Sequence, residues 1–322
     1  MTRHATTRRL LVGLFAAALL PAFGAARAAD PEVLRIGYQK YGTLTLLKAQ
    51  GTLEKRLAAQ GVSVKWTEFP AGPQLLEGLN VGSIDFGTVG EAPPIFAQAA
   101  GANFVYVANE PPAPESEAIV VPKDSPLHSV KDLKGKRIAL NKGSNVHYLL
   151  VRLLEQAGVA YKDVETVYLA PADARAAFER GAVDAWVIWD PYLASAQTQL
   201  SARVLADGKG VVSNHQFYLA ARPYAERKPE LVRAVVEELE KVDAWGRANP
   251  DEVAKVLGPA IGLDPATALL AARRFSYGVK PVTAAVLDEQ QKIADTFTEL
   301  KLIPRKLVIR DAAPRELSIA NR

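Results

Sequence analysis

The chain repeats itself once, at a spacing of about a hundred residues. In the first copy, Leu34-Arg35-Ile36-Gly37-Tyr38-Gln39-Lys40 leads into an amphipathic stretch, then Gly61 and Pro70-Ala71. It closes on Gly82-Ser83-Ile84-Asp85, with Glu91 following the aspartate. The second copy begins at Lys136-Arg137-Ile138-Ala139-Leu140-Asn141-Lys142 and passes through Gly158 and Pro171-Ala172. It closes on Gly181-Ala182-Val183-Asp184, with Asp190 at the place of Glu91. A period this long lies beyond solenoid repeats and points to two similar α/β lobes. A crevice between two lobes is a natural place for a small ligand.

The start of the chain reads as an address rather than a fold. Arg3, Arg8 and Arg9 precede the apolar run Leu10 to Leu20, and Ala26-Arg27-Ala28 is a small-residue cleavage pattern. The run is near half the ~20 apolar residues of a membrane-spanning helix and is stopped by Pro21. Residues 1–28 are therefore expected to be an export signal, cleaved near Ala28. Thr7-Arg8-Arg9-Leu10-Leu11 also resembles a twin-arginine signal, although ordinary secretion signals carry paired arginines too. The whole chain has a net charge of +4, but Arg3, Arg8, Arg9 and Arg27 all belong to the signal, which has no acid. The mature chain is thus near neutral, and no basic stripe with interleaved aromatics argues for nucleic acid. Cysteine is absent. That excludes disulfides, thiolate nucleophiles, cysteine metal sites and a lipid-attached cysteine. A soluble periplasmic protein is the expectation.

Along the chain, strands are expected at Val33–Tyr38, Val62–Phe69, Ile84–Thr88 and Phe104–Val107. Helices are expected over Leu44–Gln60, Gln74–Asn80 and Ile95–Ala100. The alternation implies a parallel sheet covered on both faces. Glu110–Val121, stiffened by Pro111, Pro112 and Pro114, reads as a crossing between lobes, and Gln216–Ala221 as the return. Between them lie strands at Arg137–Leu140, Thr166–Leu169 and Ala185–Trp189 and helices at Asn145–Gln156 and Ala172–Arg180. Pro229 to Leu302 is strongly helical and expected on lobe one, and the last twenty residues read as irregular. Lobe one is expected to comprise 29–118 and 220–322, and lobe two 119–219.

In open parallel sheets ligands sit beyond the carboxyl ends of strands, where helices begin. Four segments qualify: Gln39 to Thr43, the loop with Gly90 and Glu91, the loop from Asn141 to His147, and Trp189-Asp190-Pro191-Tyr192. Gly143-Ser144 suits a tight turn with Ser144 as helix cap, aiming amide hydrogens and the positive helix end at an anion. Thr43 is placed to do the same in lobe one. Neither loop has the pattern of a nucleotide-binding phosphate loop. The candidate ligand-binding residues are Gln39, Gly42, Thr43, Gly90, Glu91, Ser144, Asn145, His147, Trp189, Asp190 and Tyr192. Each has a plainer reading beside it. Gly143-Ser144 suits an ordinary turn and cap, Lys40 and Lys142 suit solvent, and Trp189 suits the core. Glu91 and Asp190 suit helix caps, and His147 divides evenly between site and surface. His128 and His215 are expected at the surface.

The segments Ile36-Gly37-Tyr38-Gln39-Lys40, Val89 to Gln98, Lys142-Gly143-Ser144-Asn145-Val146-His147, Trp189-Asp190-Pro191-Tyr192 and Arg274 to Val279 together resemble a known family. They are similar to periplasmic solute-binding proteins of ABC importers for aliphatic sulfonates, across essentially the whole mature chain. The resemblance implies an α/β fold of two similar Rossmann-like lobes joined by two crossings. This is the type II periplasmic-binding-protein architecture, with its ligand cleft between the lobes. It implies a small anionic ligand, an alkanesulfonate first, with taurine, nitrate or a sulfate ester as alternatives. It also implies an ABC permease in the inner membrane as partner, a monomeric chain, and no cofactor or metal. The sulfonate head is expected near Ser144 and Asn145, opposed by Gln39 and the Gly90 loop, with the organic tail against Trp189 and Tyr192. Enzymes occur on the same fold, but a desulfinase needs a nucleophilic cysteine and a thiamine-pyrimidine synthase a cysteine-rich metal segment. This chain has neither.

Overall fold

Two sheets of matching design organise the chain. The computed structural model describes residues 32–315, and the expected export signal with its cleavage point lies outside them. The first copy of the repeat forms β1 (Glu32–Tyr38), α1 (Gly42–Gln50), α2 (Thr52–Ala58), β2 (Val62–Glu68), α3 (Gly72–Asn80), β3 (Phe86–Gly90), α4 (Pro93–Ala99) and β4 (Phe104–Asn109). The single helix expected over Leu44–Gln60 is broken at Gly51, whose left-handed backbone (φ 63°) ends one helix and starts the next.

The chain then crosses and forms β5 (Glu117–Val121), β6 (Arg137–Leu140), α5 (Asn145–Gln156), β7 (Glu165–Tyr168), α6 (Pro171–Glu179), β8 (Ala185–Trp189), α7 (Tyr192–Gln199) and β9 (Arg203–Asp207). It returns as β10 (Gln216–Ala221) and continues through α8 (Arg222–Arg227), α9 (Pro229–Ala248), α10 (Pro250–Ile261), α11 (Pro265–Ala272), β11 (Lys280–Pro281) and α12 (Ala284–Glu299).

The strand orders are β2-β1-β3-β10-β4-β11 and β7-β6-β8-β5-β9, so the five strands of the second sheet match the first five of the first, which adds β11 at its edge. The expectation of wholly parallel sheets is corrected. β1, β2 and β3 are parallel, as are β6, β7 and β8, but β10 is antiparallel to β3 and β4, and β5 to β8 and β9. In each sheet the inserted antiparallel strand is the one that arrives from the other sheet. A chain returning from the far side enters against the direction of the strands it joins, and each sheet ends up mixed.

Apolar side chains cover both faces of each sheet. Leu34, Ile36 and Phe86 pack under α1, α2 and α9, while Ile119, Ile138 and Val187 pack under α5. The C-terminal helices, expected on lobe one alone, touch both halves. α9 packs on α1 and α2, yet α11 packs on α7, where the Thr198 and Thr267 hydroxyls lie 2.6 Å apart. Phe297 of α12 lies against Phe96, His147 and Tyr148. The last twenty residues, expected to be irregular, fall within the described residues as far as 315, and there they include a short 3-10 turn, Ile309–Ala312, and are packed rather than loose. Leu307, Ile309, Ala312 and Ala313 are buried, and Gln291 of α12 bonds the backbone at both Leu307 and Ile309.

Candidate ligand cleft

The loops at the carboxyl ends of β1, β3, β6 and β8 face one another, as their position in an open sheet requires. They enclose a cleft of about 650 Å³, open solvent at its mouth included. Gln39, Gly42, Thr43 and Gly90 line it from the first sheet, and Ser144, Asn145, Trp189 and Asp190 from the second. The floor comes from the crossings, with Glu110 and Ser116 on one and Asn214 on the other; Phe275 and Ser276 close one side.

The walls touch where a glycine makes room. A Cβ on Gly90 would lie 2.0 Å from the Asn145 side-chain amide. That amide donates to Asn214 Oδ1, and Asn214 Nδ2 donates to Ala113 O at 2.9 Å and Ser116 Oγ at 3.0 Å. Asn145 is thereby tied to both crossings. On the opposite side Gln39, buried, donates to Thr88 O at 3.1 Å. Its backbone carbonyl accepts from the Thr45 hydroxyl at 2.8 Å, which fixes the loop into α1.

Ser144 occupies the cap position of α5, but its hydroxyl donates back to Asn141 O at 2.7 Å and caps no helix amide. The start of α5 faces the cleft without a side-chain cap, so its dipole favours negative charge there. The expectation that Thr43 caps α1 is corrected. Thr43 lies within α1, and its hydroxyl meets Glu110 Oε1 at 2.8 Å and Asp243 Oδ1 at 2.7 Å.

Three expected residues lie outside this cleft. His147 is buried with its ring stacked on Phe96, and Gly143 N donates to its Nδ1 at 3.2 Å. The proton therefore sits on Nε2 and is donated to the Tyr161 hydroxyl at 2.7 Å. Burial pulls this imidazole down to about 4, and Lys142 adds to the effect, so His147 is a neutral brace for the Gly143 turn. Glu91 turns away to the second crossing, where its Oε2 accepts His215 N at 3.0 Å, and it caps no helix. Tyr192 lines an adjoining recess with Lys40, Glu68 and Trp189. His215, expected at the surface, is buried, its Nδ1 2.8 Å from Glu110 O; His128 is exposed.

Charge in the cleft is unusual for an anion site: Glu110 and Asp190 line it, with no lysine or arginine among the lining residues. Lys40 instead faces Glu68 at 3.6 Å, and Lys142 lies over the Tyr168 ring. Asp190 accepts Ala194 N at 2.9 Å and pairs with Arg274 Nη1, 3.3 Å from each carboxylate oxygen. Arg274 also donates to Gln197 Oε1 at 2.6 Å. Burial pushes Asp190 up to about 7 against the pull of Arg274.

The NMT1/THI5-like family model matches residues 57–253. The aliphatic sulfonates-binding protein of Escherichia coli strain K12 is 48% identical over 290 residues, covering 89% of this chain and 90% of its own. The chain belongs to the aliphatic sulfonate-binding protein family. Among solved structures of that family, SsuA from Xanthomonas axonopodis pv. citri, bound to MOPS, is 44% identical with a TM-score of 0.85. The match covers 89% of this chain and 99% of that one. SsuA from E. coli, described as a periplasmic aliphatic sulphonate binding protein, is 46% identical with a TM-score of 0.79, over 90% of this chain and all (100%) of that one. This member of the family is a binding protein on the type II periplasmic-binding-protein fold, and not an enzyme.

Sequence reasoning passed over Glu110, Ser116, Asn214, Phe275 and Ser276 as lining residues of this cleft. The crossings themselves were legible from Pro111, Pro112 and Pro114, but being on a crossing does not say which side chain faces inward. Phe275 and Ser276 had a signal, since they lie inside the Arg274–Val279 segment that carried part of the family resemblance.

Proposed function

We propose that this protein is exported to the periplasm, captures an aliphatic sulfonate between its two sheets, and delivers it to an inner-membrane ABC permease. The observation that carries the reading is the cleft itself. Polar side chains from both sheets, the uncapped start of α5 and an indole converge on one space. A sulfonate offers one charge spread over three acceptor oxygens and an apolar tail. The head suits the Ser144–Asn145 corner opposite Gln39 and Gly90, and the tail suits Trp189, with Tyr192 in the recess beyond it. Micromolar affinity is worth about 8 kcal/mol, within reach of several hydrogen bonds to an ion plus one buried tail.

In this reading residues 29–118 with 220–322 form one lobe and 119–219 the other, and ligand shifts the population toward the closed pair. The mature chain begins after cleavage near Ala28, acts as a monomer, and is not lipid-anchored because it has no cysteine. The test is thermal unfolding of the refolded, ligand-free protein with alkanesulfonates, taurine, nitrate and sulfate. A ligand at 100 times its Kd adds about 2.7 kcal/mol of stability. A shift of the midpoint with alkanesulfonates but not sulfate or nitrate supports the assignment. A shift with nitrate alone overturns it.

A further inference from the structure

A cleft that takes a permanently ionised anion while displaying two carboxyl groups has to answer both charges. Asp190 is answered by Arg274. Glu110 has no cation within hydrogen-bonding distance among the described residues: its Oε1 meets the Tyr218 hydroxyl and, at 2.8 Å, the Thr43 hydroxyl. That Thr43 hydroxyl also lies 2.7 Å from Asp243 Oδ1. A hydroxyl has one proton to give, so it cannot serve two ionised carboxylates at once.

Asp243 is the better placed to be ionised, because its Oδ2 accepts Gly278 N at 2.8 Å and Val279 N at 2.7 Å. Thr43 then donates to Asp243, and the Glu110–Thr43 contact needs a proton from Glu110. The chain of donors runs from Tyr218 to Glu110, from Glu110 to Thr43, and from Thr43 to Asp243.

We infer that Glu110 is a specificity-determining residue that lines the ligand cleft as a neutral acid, and that its proton is what lets a fully ionised sulfonate bind there. The inference rests on the sulfonate reading and deepens it. Burial and then the charge of Asp243 push Glu110 up to about 8, against the hydrogen bond that Tyr218 donates to it. It therefore holds its proton at neutral pH and loses it a little above.

The other titratable or charged groups around it are distinct in position. Asp243 on α9, Tyr218 on β10, Tyr41 ahead of α1 and Tyr277 ahead of β11 feel its charge or lend it theirs. Glu117 on β5 acts on Tyr41, and Arg247 on α9 acts on Asp243 and donates to Tyr277 O. His215 bonds Glu110 at its backbone carbonyl and faces Glu289 with Nε2, and the Asp190–Arg274 pair lies on the same cleft. Glu91 and Asp190 are both raised only to about 7, below the step assigned to Glu110.

The experiment is titration calorimetry of butanesulfonate, anionic throughout, into the refolded full-length mature protein from pH 6.5 to 9.5. Buffers are phosphate, Tris and borate, because a relative was solved with the sulfonate buffer MOPS bound. Wild-type affinity is expected to fall about tenfold per pH unit once Glu110 ionises. At pH 9, enthalpies in two buffers should reveal uptake of about one proton on binding. Glu110→Gln should flatten the ratio of Kd at pH 9.5 to Kd at pH 7 to within about threefold. Asp243→Asn removes the neighbouring charge and should move the fall to lower pH; near-UV circular dichroism checks the fold of each variant. If Glu110→Gln does not fold, the direction of the Asp243→Asn shift and the wild-type proton uptake decide. A wild-type profile that is flat and without proton uptake overturns the inference, as does a Glu110→Gln profile that keeps the wild-type slope. No butanesulfonate binding at pH 6.5 overturns the sulfonate reading instead.

Discussion

Asp85 and Asp184 sit at matching corners of the two sheets and do the same work. Each follows a glycine in the left-handed region, Gly82 or Gly181, that ends a helix. Each accepts the backbone N–H of an arginine on the neighbouring strand, Arg35 within β1 at 2.9 Å and Arg137 at the start of β6 at 2.7 Å. Each returns its own N–H to that arginine's carbonyl. Further along, the copies part. Gly90 leaves space for Asn145 where Trp189 builds a wall, and Glu91 turns to the second crossing where Asp190 faces the cleft. Both of these acids are buried and pushed up to about 7, yet among the described residues only Asp190 has a cation. The repeat thus preserves what the backbone needs and releases the side chains that face a ligand.

The largest effect expected from breaking this divergence is at Gly90. Gly90→Ala would drive the Asn145 amide off Asn214, and sulfonate affinity should fall roughly a hundredfold, the loss of about two good hydrogen bonds to an ion. Stability should change by less than about 1 kcal/mol, because the displaced group is a side-chain end. Calorimetry with a parallel urea melt checks both, and an unchanged Kd would show that Asn145 does not touch the ligand.

Next comes the asymmetry of the acids. Arg274→Gln strands Asp190 in a buried site, with an expected cost of about 3 kcal/mol at pH 8. Without the arginine the Asp190 carboxyl is raised further, so this penalty should shrink as pH falls and Asp190 takes up a proton. Equal losses in urea melts at pH 8 and 5.5 would break the argument.

The shared corners give a smaller contrast. Asp85→Ala loses the backbone bond and also the Arg35 side chain, whose Nε and Nη2 reach Asp85 at 2.9 and 2.5 Å. It should cost about 2 kcal/mol, against about 1 kcal/mol for Asp184→Ala. Equal losses would mean that the arginine grip on the first sheet adds nothing.

Smallest is Glu91→Gln. The carboxyl has one buried oxygen without a hydrogen-bond partner among the described residues and no cation to strand. Its raised position means that it adds stability at low pH and loses that contribution as pH climbs through about 7. The variant should therefore gain on wild type between pH 5 and 8, by a few degrees in Tm at most. A variant that instead loses ground over that range would show that Glu91 is ionised and paired.

Much of the frame was legible from residues alone. The strands Arg137–Leu140 and Ala185–Trp189 and the helix Asn145–Gln156 stand where apolar runs and helix-spaced leucines put them, whereas Gln216–Ala221, read as a crossing, is a strand inside the first sheet. The loops around Gln39, Gly90, Ser144 and Trp189 converge because the carboxyl ends of parallel strands share one edge. β9 and α7 were missed, since Arg203–Asp207 is half-buried throughout and lacks a two-residue alternation.

What the sequence determined by itself is the pair of lobes, the crossings and the loops that meet, because these follow from local periodicity, glycine and proline positions, and an internal repeat. What only the tertiary structure decided is the partner of each buried polar group. Asp190 and Arg274 are 84 residues apart, Glu110 and Tyr218 108, and Thr43 and Asp243 200. No local pattern links such positions. Glu110 and Tyr218 meet because β10 pairs with β4; the other two pairs meet because α9 and α11 dock on the two halves, and that docking carries the cation to Asp190 and a second carboxylate behind Thr43.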